Sequence, residues 1–209
     1  MKISILTGGS RGDVQPYIAL GKGLREAGYD VCLIASDDFK NLATDTGLTF
    51  RSTGYSIQAI LQSDEWRQTT EHGNFLKILA KMQQESKKHA HSLAQRLPDL
   101  IQGADVLIAG VAGLGGGFTV ASTLNIPIIQ AHVFPFTPTD EYASPLIPTL
   151  PFGKTFNRLS FHIMRQMLWQ STRVGDVETR KVLNLPKGSF WGPFSQLNQQ
   201  QIPTLYGYS

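Results

Sequence analysis

Asp13 is the residue whose type and place most directly suggest chemistry. It follows the glycine-rich run Thr7-Gly8-Gly9-Ser10-Arg11-Gly12 and opens a stretch with helical spacing. A carboxylate there lies at the carboxyl end of a first strand, where open α/β sheets bind ligands, and can take a proton from a substrate hydroxyl. The same place suits an N-cap that accepts backbone N–H bonds. The two roles pull apart electrostatically, because capping stabilises the anion and weakens the base, whereas partial burial strengthens it. The run itself matches neither common phosphate loop. Gly8, Gly9 and Gly12 do not give G-x-G-x-x-G, and no Lys-Ser or Lys-Thr follows as a P-loop requires. Asp37 and Asp38 imitate the ribose-binding acid of dinucleotide enzymes, which keeps a dinucleotide-dependent oxidoreductase as an alternative. His72, His89, His91 and His162 show no metal-ligand spacing, so no metal site is expected; His89 and His91, two apart on a helix, point to different faces.

The elements that would position these groups alternate. Ile3 to Thr7 is a short apolar run, and Val14, Tyr17, Ile18, Gly21 and Leu24 recur at helical spacing before the stop at Gly28. Pro16 is placed in the first turn, where it loses no needed hydrogen bond. Val31 to Ala35 is a second strand, which completes one βαβ unit. A short helix near Asp38 to Thr46, a strand near Leu48 to Ser52 and an irregular stretch over 54–74 carrying Trp66 come next. The spacing then predicts a long helix from about Asn74 to Arg96, with Pro98 ending it or sitting just beyond it. Val106 to Gly110 is a strand, and Gly113, Gly115, Gly116 and Gly117 turn the chain into a helix over Phe118 to Leu124. Ile128 to Val133 is another strand. Pro135, Pro138, Pro145, Pro148 and Pro151 then prevent regular structure. Two helices, Phe156 to Arg173 and Val177 to Leu183, precede a closing buried strand after Pro203. This alternation predicts a Rossmann-like, doubly wound α/β fold with a mainly parallel sheet flanked by helices.

The 209 residues are 41% hydrophobic and 17% charged, enough for a core and low in charge against the roughly 25% usual in soluble domains. Disorder is excluded as the main state. The net charge of +3 is too small and scattered to make nucleic acid a partner. The single cysteine, Cys32, excludes an internal disulfide framework and fits a reducing, cytoplasmic setting. No signal peptide is read at the N-terminus and no stretch reaches the roughly 18 apolar residues of a spanning helix. The strand-like segment ending at Ser209 suggests that the natural chain continues beyond it.

At Gly9-Ser10-Arg11-Gly12-Asp13-Val14-Gln15-Pro16-Tyr17-Ile18-Ala19-Leu20-Gly21 the sequence resembles the N-terminal, acceptor-binding domain of GT-B glycosyltransferases, in the family-28-like group that contains sterol glucosyltransferases. The likeness continues at Gly28-Tyr29-Asp30-Val31, at Ala35-Ser36-Asp37-Asp38-Phe39, at Ala121-Ser122-Thr123-Leu124-Asn125-Ile126-Pro127, at Phe134-Pro135-Phe136-Thr137-Pro138-Thr139 and at Pro203 to Ser209.

The resemblance implies that residues 1–209 form a single Rossmann-like acceptor-binding domain, the N-terminal half of a GT-B fold, whose C-terminal nucleotide-sugar-binding domain is absent and must be joined in cis or in trans. Its reaction would move a hexose from a nucleotide sugar, a co-substrate rather than a cofactor, to a hydroxyl of a lipid-like or other small acceptor. Asp13 matches the position of the general base. Ser10, Arg11 and Gly12 would contact the donor phosphates, although Arg11 suits a structural ion pair equally. His132, Phe134 and Phe136 match the acceptor-cleft segment, and each also suits ordinary core packing. Trp66 and Met82 are candidates to line an apolar acceptor pocket. A lipid-like acceptor leaves peripheral membrane association open. The alternative within this fold is a non-catalytic module that binds a lipid or another small molecule.

Overall fold

The computed structural model describes residues 1–62, 66, 75–147 and 153–207. Strand β1 (Lys2–Leu6) leads through the glycine turn to α1 (Arg11–Glu26), β2 (Asp30–Ala35), a 3-10 turn at Asp37–Phe39, α2 (Lys40–Thr44), β3 (Thr49–Ser52) and α3 (Ile57–Leu61). Helix α4 (Phe75–Ile101), β4 (Val106–Ala109), a π-helical turn over Gly113–Gly117 and α5 (Phe118–Thr123) follow, then β5 (Ile128–His132), α6 (Gly153–Val182), α7 (Phe194–Gln199) and β6 (Thr204–Tyr206). The strands form a six-stranded sheet in the order β3-β2-β1-β4-β5-β6, and every neighbouring pair is parallel. The expected doubly wound α/β sheet is therefore present. The strand order reverses its direction between β1 and β4, where such sheets open a ligand crevice at the strands' carboxyl ends.

Alternation along the strands builds two cores. Ile3, Ile5, Leu33 and Ile108 face α1, packing with Val14, Tyr17 and Ile18. Leu6, Ile34, Leu107 and Ala109 point the other way, toward Leu97 and Ile101 of α4 and Phe161, Met164 and Trp169 of α6. Burial on both faces explains why β4 reads as a continuous apolar run and why even Ser4 of β1 is buried.

Five expectations change. Helix α1 begins at Arg11, so Pro16 sits in its second turn and removes the partner of the Gly12 carbonyl; Gly12 is exposed and its carbonyl can turn to water. Pro98 lies inside α4 rather than ending it. Its last turn is held by Arg51 of β3, which donates to the carbonyls of Asp99 and Leu100 at 3.3 and 2.7 Å, and Arg96 donates to the Ser52 carbonyl. Residues 57–61, expected to be irregular, form α3. The closing strand β6 is exposed at all three positions because it is the sheet edge.

The two helices expected over 156–183 are one. Gly175 is a contact point, not a break: a Cβ there would stand 2.5 Å from the carbonyl oxygen of Gly115, in the glycine turn after β4. The missing side chains let α6 lie directly on that turn. Thr119 and Arg180 then clamp the junction by donating to Asp176, at 2.5 and 2.8 Å. Gly175→Ala is predicted to cost about 1–3 kcal/mol of stability by overpacking against backbone. Gly23→Ala, with open space around it on exposed α1, is predicted to gain about 0.5–1 kcal/mol. Urea unfolding of the two variants beside the parent measures both.

Candidate functional site

The crest above β1 is organised by a carboxylate. Ser10 is the N-cap of α1 and Asp13 occupies the third helical position, so Asp13 does not cap the helix as an N-cap would. Its Oδ2 instead accepts from the backbone N–H of Ser10 at 2.7 Å and from the Ser10 hydroxyl at 2.9 Å. This is the side-chain half of a capping box. Oδ1 has no hydrogen-bond partner among the described residues. Gly9 makes this possible with φ of +112°; a Cβ there would collide with the Asp13 carboxylate and stand 2.9 Å from its Cγ. Arg11 is exposed and its Nε donates to Gln15 at 3.2 Å, so it stays on α1 beside Gly12.

One turn further along α1, buried Tyr17 donates its hydroxyl to the Ala131 carbonyl of β5 at 2.5 Å. Burial and the nearby Asp13 charge push its pKa up to about 12, so it remains a donor. The approach requires Gly110 at the end of β4, where a Cβ would collide with the Tyr17 hydroxyl and the Ala131 carbonyl. Asp13 and the end of β5 are thereby held along one carboxyl edge.

His132, next in β5, turns to the opposite face of the sheet. It is 3% exposed and stacks on Phe136, with ring centroids 4.2 Å apart. Phe134 is half-buried and meets Phe136 edge-on at 6.2 Å. Neither ring nitrogen of His132 has a hydrogen-bond partner among the described residues. His132 and Phe136 border a cavity of about 250 Å³ with Gln130, Arg158, His162, Arg165 and Asn198. Burial first, and the Arg165 charge second, lower the His132 pKa to about 4. A shallower groove of about 510 Å³ runs between α4 and α6, lined by Ala80, Leu159, Ile163, Met167 and Trp191. Trp66 is half-buried, and its neighbours at 63–65 and 67–74 lie outside the described residues, as does the side chain of Met82.

The structure thus joins His132, Phe134 and Phe136 in one aromatic cluster and gathers Ser10, Arg11, Gly12 and Asp13 in another place, the start of α1. Tyr17 and Arg165 were not foreseen. Arg165 had a visible signal, since it interrupts the helical stripe Phe161, Met164, Leu168 and Trp169. The Asp13 fold-back also had one, in the Ser-x-x-Asp spacing of a capping box.

This all-parallel, six-stranded sheet flanked by helices is the N-terminal half of the GT-B glycosyltransferase fold. Its likeness to a solved structure supports that: the Streptomyces sp. SF2575 glycosyltransferase SsfS6, complexed with thymidine diphosphate, aligns over 90% of this chain and 47% of its own, with a TM-score of 0.56 and 20% identity. The family described as the glycosyltransferase family 28 N-terminal domain matches residues 3–143, and the chain belongs to it. It is also similar to curated sterol 3-beta-glucosyltransferases. That of Candida albicans is 30% identical over 99% of this chain and 13% of its own length. That of Komagataella phaffii is 30% identical over 100% of this chain and 17% of its own. The chain therefore spans a small part of these relatives.

The depressed His132 pKa has a measurable consequence. Unfolding frees the imidazole to titrate near 6.5, so the unfolded state binds the extra proton between that pH and about 4. Stability from this group is intact above pH 6.5 and is lost as pH falls through about 4, by roughly 3 kcal/mol in all. His132→Phe, which keeps a ring on Phe136, is predicted to flatten the pH dependence of unfolding by that amount relative to the parent. Urea titrations at pH 7 and pH 4 compare the two.

Proposed function

We propose that residues 1–209 are the acceptor-binding domain of a hexosyltransferase, working with a C-terminal nucleotide-sugar-binding domain in cis or in trans. In this reading a hexose passes from a nucleotide sugar to a hydroxyl of a lipid-like acceptor, a sterol being favoured by the curated relatives. The observation that carries it is the Asp13 carboxylate. One oxygen is fixed by Ser10 while the other is left to accept a hydroxyl proton, at the carboxyl edge where this fold binds ligands. Proton removal there raises alkoxide character as the nucleotide diphosphate leaves the anomeric carbon.

The donor phosphates approach Ser10, Arg11 and Gly12. The N–H groups of the first turn and the Arg11 guanidinium favour an anion. His132, Phe134, Phe136 and Trp66 are assigned to the acceptor side. The cavity at His132 is polar, so the apolar body of the acceptor is assigned to the groove of Leu159, Ile163 and Trp191. Among the described residues no helix is long and apolar enough to cross a membrane. Exposed Phe190, Trp191 and Leu159 supply the apolar surface with which a cytoplasmic enzyme would meet a lipid acceptor at a membrane.

Asp13→Asn keeps an oxygen to accept from Ser10 and loses the base. In the two-domain protein it is predicted to lower kcat by roughly 10²-fold or more with little change in KM, and to leave thermal unfolding nearly unmoved. Unchanged turnover in a folded Asp13→Asn protein would assign Asp13 to helix capping alone, whereas tight ligand binding without turnover in the parent, unaffected by Asp13→Asn, would favour a non-catalytic binding module.

A further inference from the structure

Helix α6 carries a cation where its own pattern asks for an apolar side chain. Phe161, Met164, Leu168 and Trp169 are buried, and Arg165 sits among them at 8% exposure. Its guanidinium lies against two rings, 5.4 Å from the centroid of Phe136 and 4.2 Å from that of Phe194. Among the described residues its Nε has no hydrogen-bond partner, and no aspartate or glutamate of theirs borders the cavity it faces. Withdrawing a guanidinium from water is costly, and ring contacts recover only part of the loss. The missing component is negative charge.

The rest of the cavity is built for the same charge. Arg158, His162 and Arg165 follow one another at i, i+4 and i+7, so they project along one side of α6, and all three line it. Across from them stand the amides of Gln130 and Asn198 and the hydroxyls of Thr137 and Thr204. His132, both of whose ring nitrogens are unpartnered among the described residues, closes one wall. Burial, with Arg165 and then Arg158, also lowers the pKa of His162, as expected where cations crowd without a counter-charge.

We propose that this cavity binds an oxyanion, the phosphate or carboxylate of a small ligand, with Arg165 as the principal contact and Arg158 and His162 at its rim. It is separate from the donor-phosphate side of the proposed cleft, because Arg165 lies on the face of the sheet opposite α1. It stands equally whether Asp13 is a base or only a helix cap.

Calorimetric titration of the chain with inorganic phosphate and, separately, with acetate, ionic strength being held constant with chloride, tests it. Saturable one-to-one binding of at least one anion is expected. Tighter binding of phosphate assigns a phosphoryl ligand, and tighter binding of acetate assigns a carboxylate. Arg165→Met is expected to weaken binding at least tenfold. Its thermal unfolding without anion should match or exceed the parent's, because an unpaired buried charge is gone. If Arg165→Met does not fold, Arg158→Ala at the exposed rim is expected to weaken binding several-fold. Absence of saturable binding for both anions would overturn the proposal. Undiminished affinity in the folded variants would overturn it as well.

Discussion

The hydrogen bond from Tyr17 to the carbonyl of Ala131 sets the relation between the two sides of the carboxyl edge. Helix α1 belongs to the first βαβ unit and β5 to the second, and the crevice between β1 and β4 divides them. A tyrosine that remains protonated to about pH 12 pins one to the other through a bond of 2.5 Å. A typical buried hydrogen bond contributes only ~1 kcal/mol net, but a carbonyl left without its donor would cost about 1–3 kcal/mol. The bond therefore specifies geometry more than it adds stability. Gly110 is the condition for it, since any side chain there would displace the tyrosine.

Charge is handled in opposite ways on the two faces of the sheet. On the α1 face the Asp13 carboxylate is half-exposed and anchored by Ser10, so its negative charge is accommodated at a helix N-terminus without a counter-ion. On the α6 face Arg165 is buried among aromatic rings, and no protein carboxylate answers it among the described residues. A structure that settles one charge so fully and leaves the other unanswered separates two tasks. In the proposed reading proton transfer belongs at the crest, and recognition of a negative group belongs in the cavity beneath β5 and β6.

The architecture was legible because its signals are local and repeated. Apolar runs of strand length, glycine turns at their ends and helical spacing between them gave the doubly wound sheet, and the opening Gly9 to Gly21 pointed to its family. What escaped was decided by contacts between distant segments. Gly175 reads as a helix breaker because its intrinsic penalty is about 1 kcal/mol, yet its closeness to Gly115 is what brings α6 onto the turn after β4. Pro98 reads as a terminator because the help from Arg51, far away in the chain, is invisible to local propensity. Strand β6 looks like core in composition, and only its place at the sheet edge exposes it. At the site, Asp13 was legible as a residue, and its fold-back onto Ser10 was carried only by the Ser-x-x-Asp spacing, which a reading of Asp13 as N-cap passes over. Arg165 was legible only as a charged residue in phase with an apolar stripe.

A crystal structure of the two-domain protein with a non-transferable donor analogue and its acceptor measures the central claim most directly, that Asp13 faces the reacting hydroxyl. The predicted result is an acceptor hydroxyl within ~2.6–3.2 Å of the free Asp13 oxygen, aimed at the anomeric carbon, while the other oxygen stays on Ser10. An acceptor hydroxyl poised for attack with no path to Asp13, direct or through one water, would contradict it.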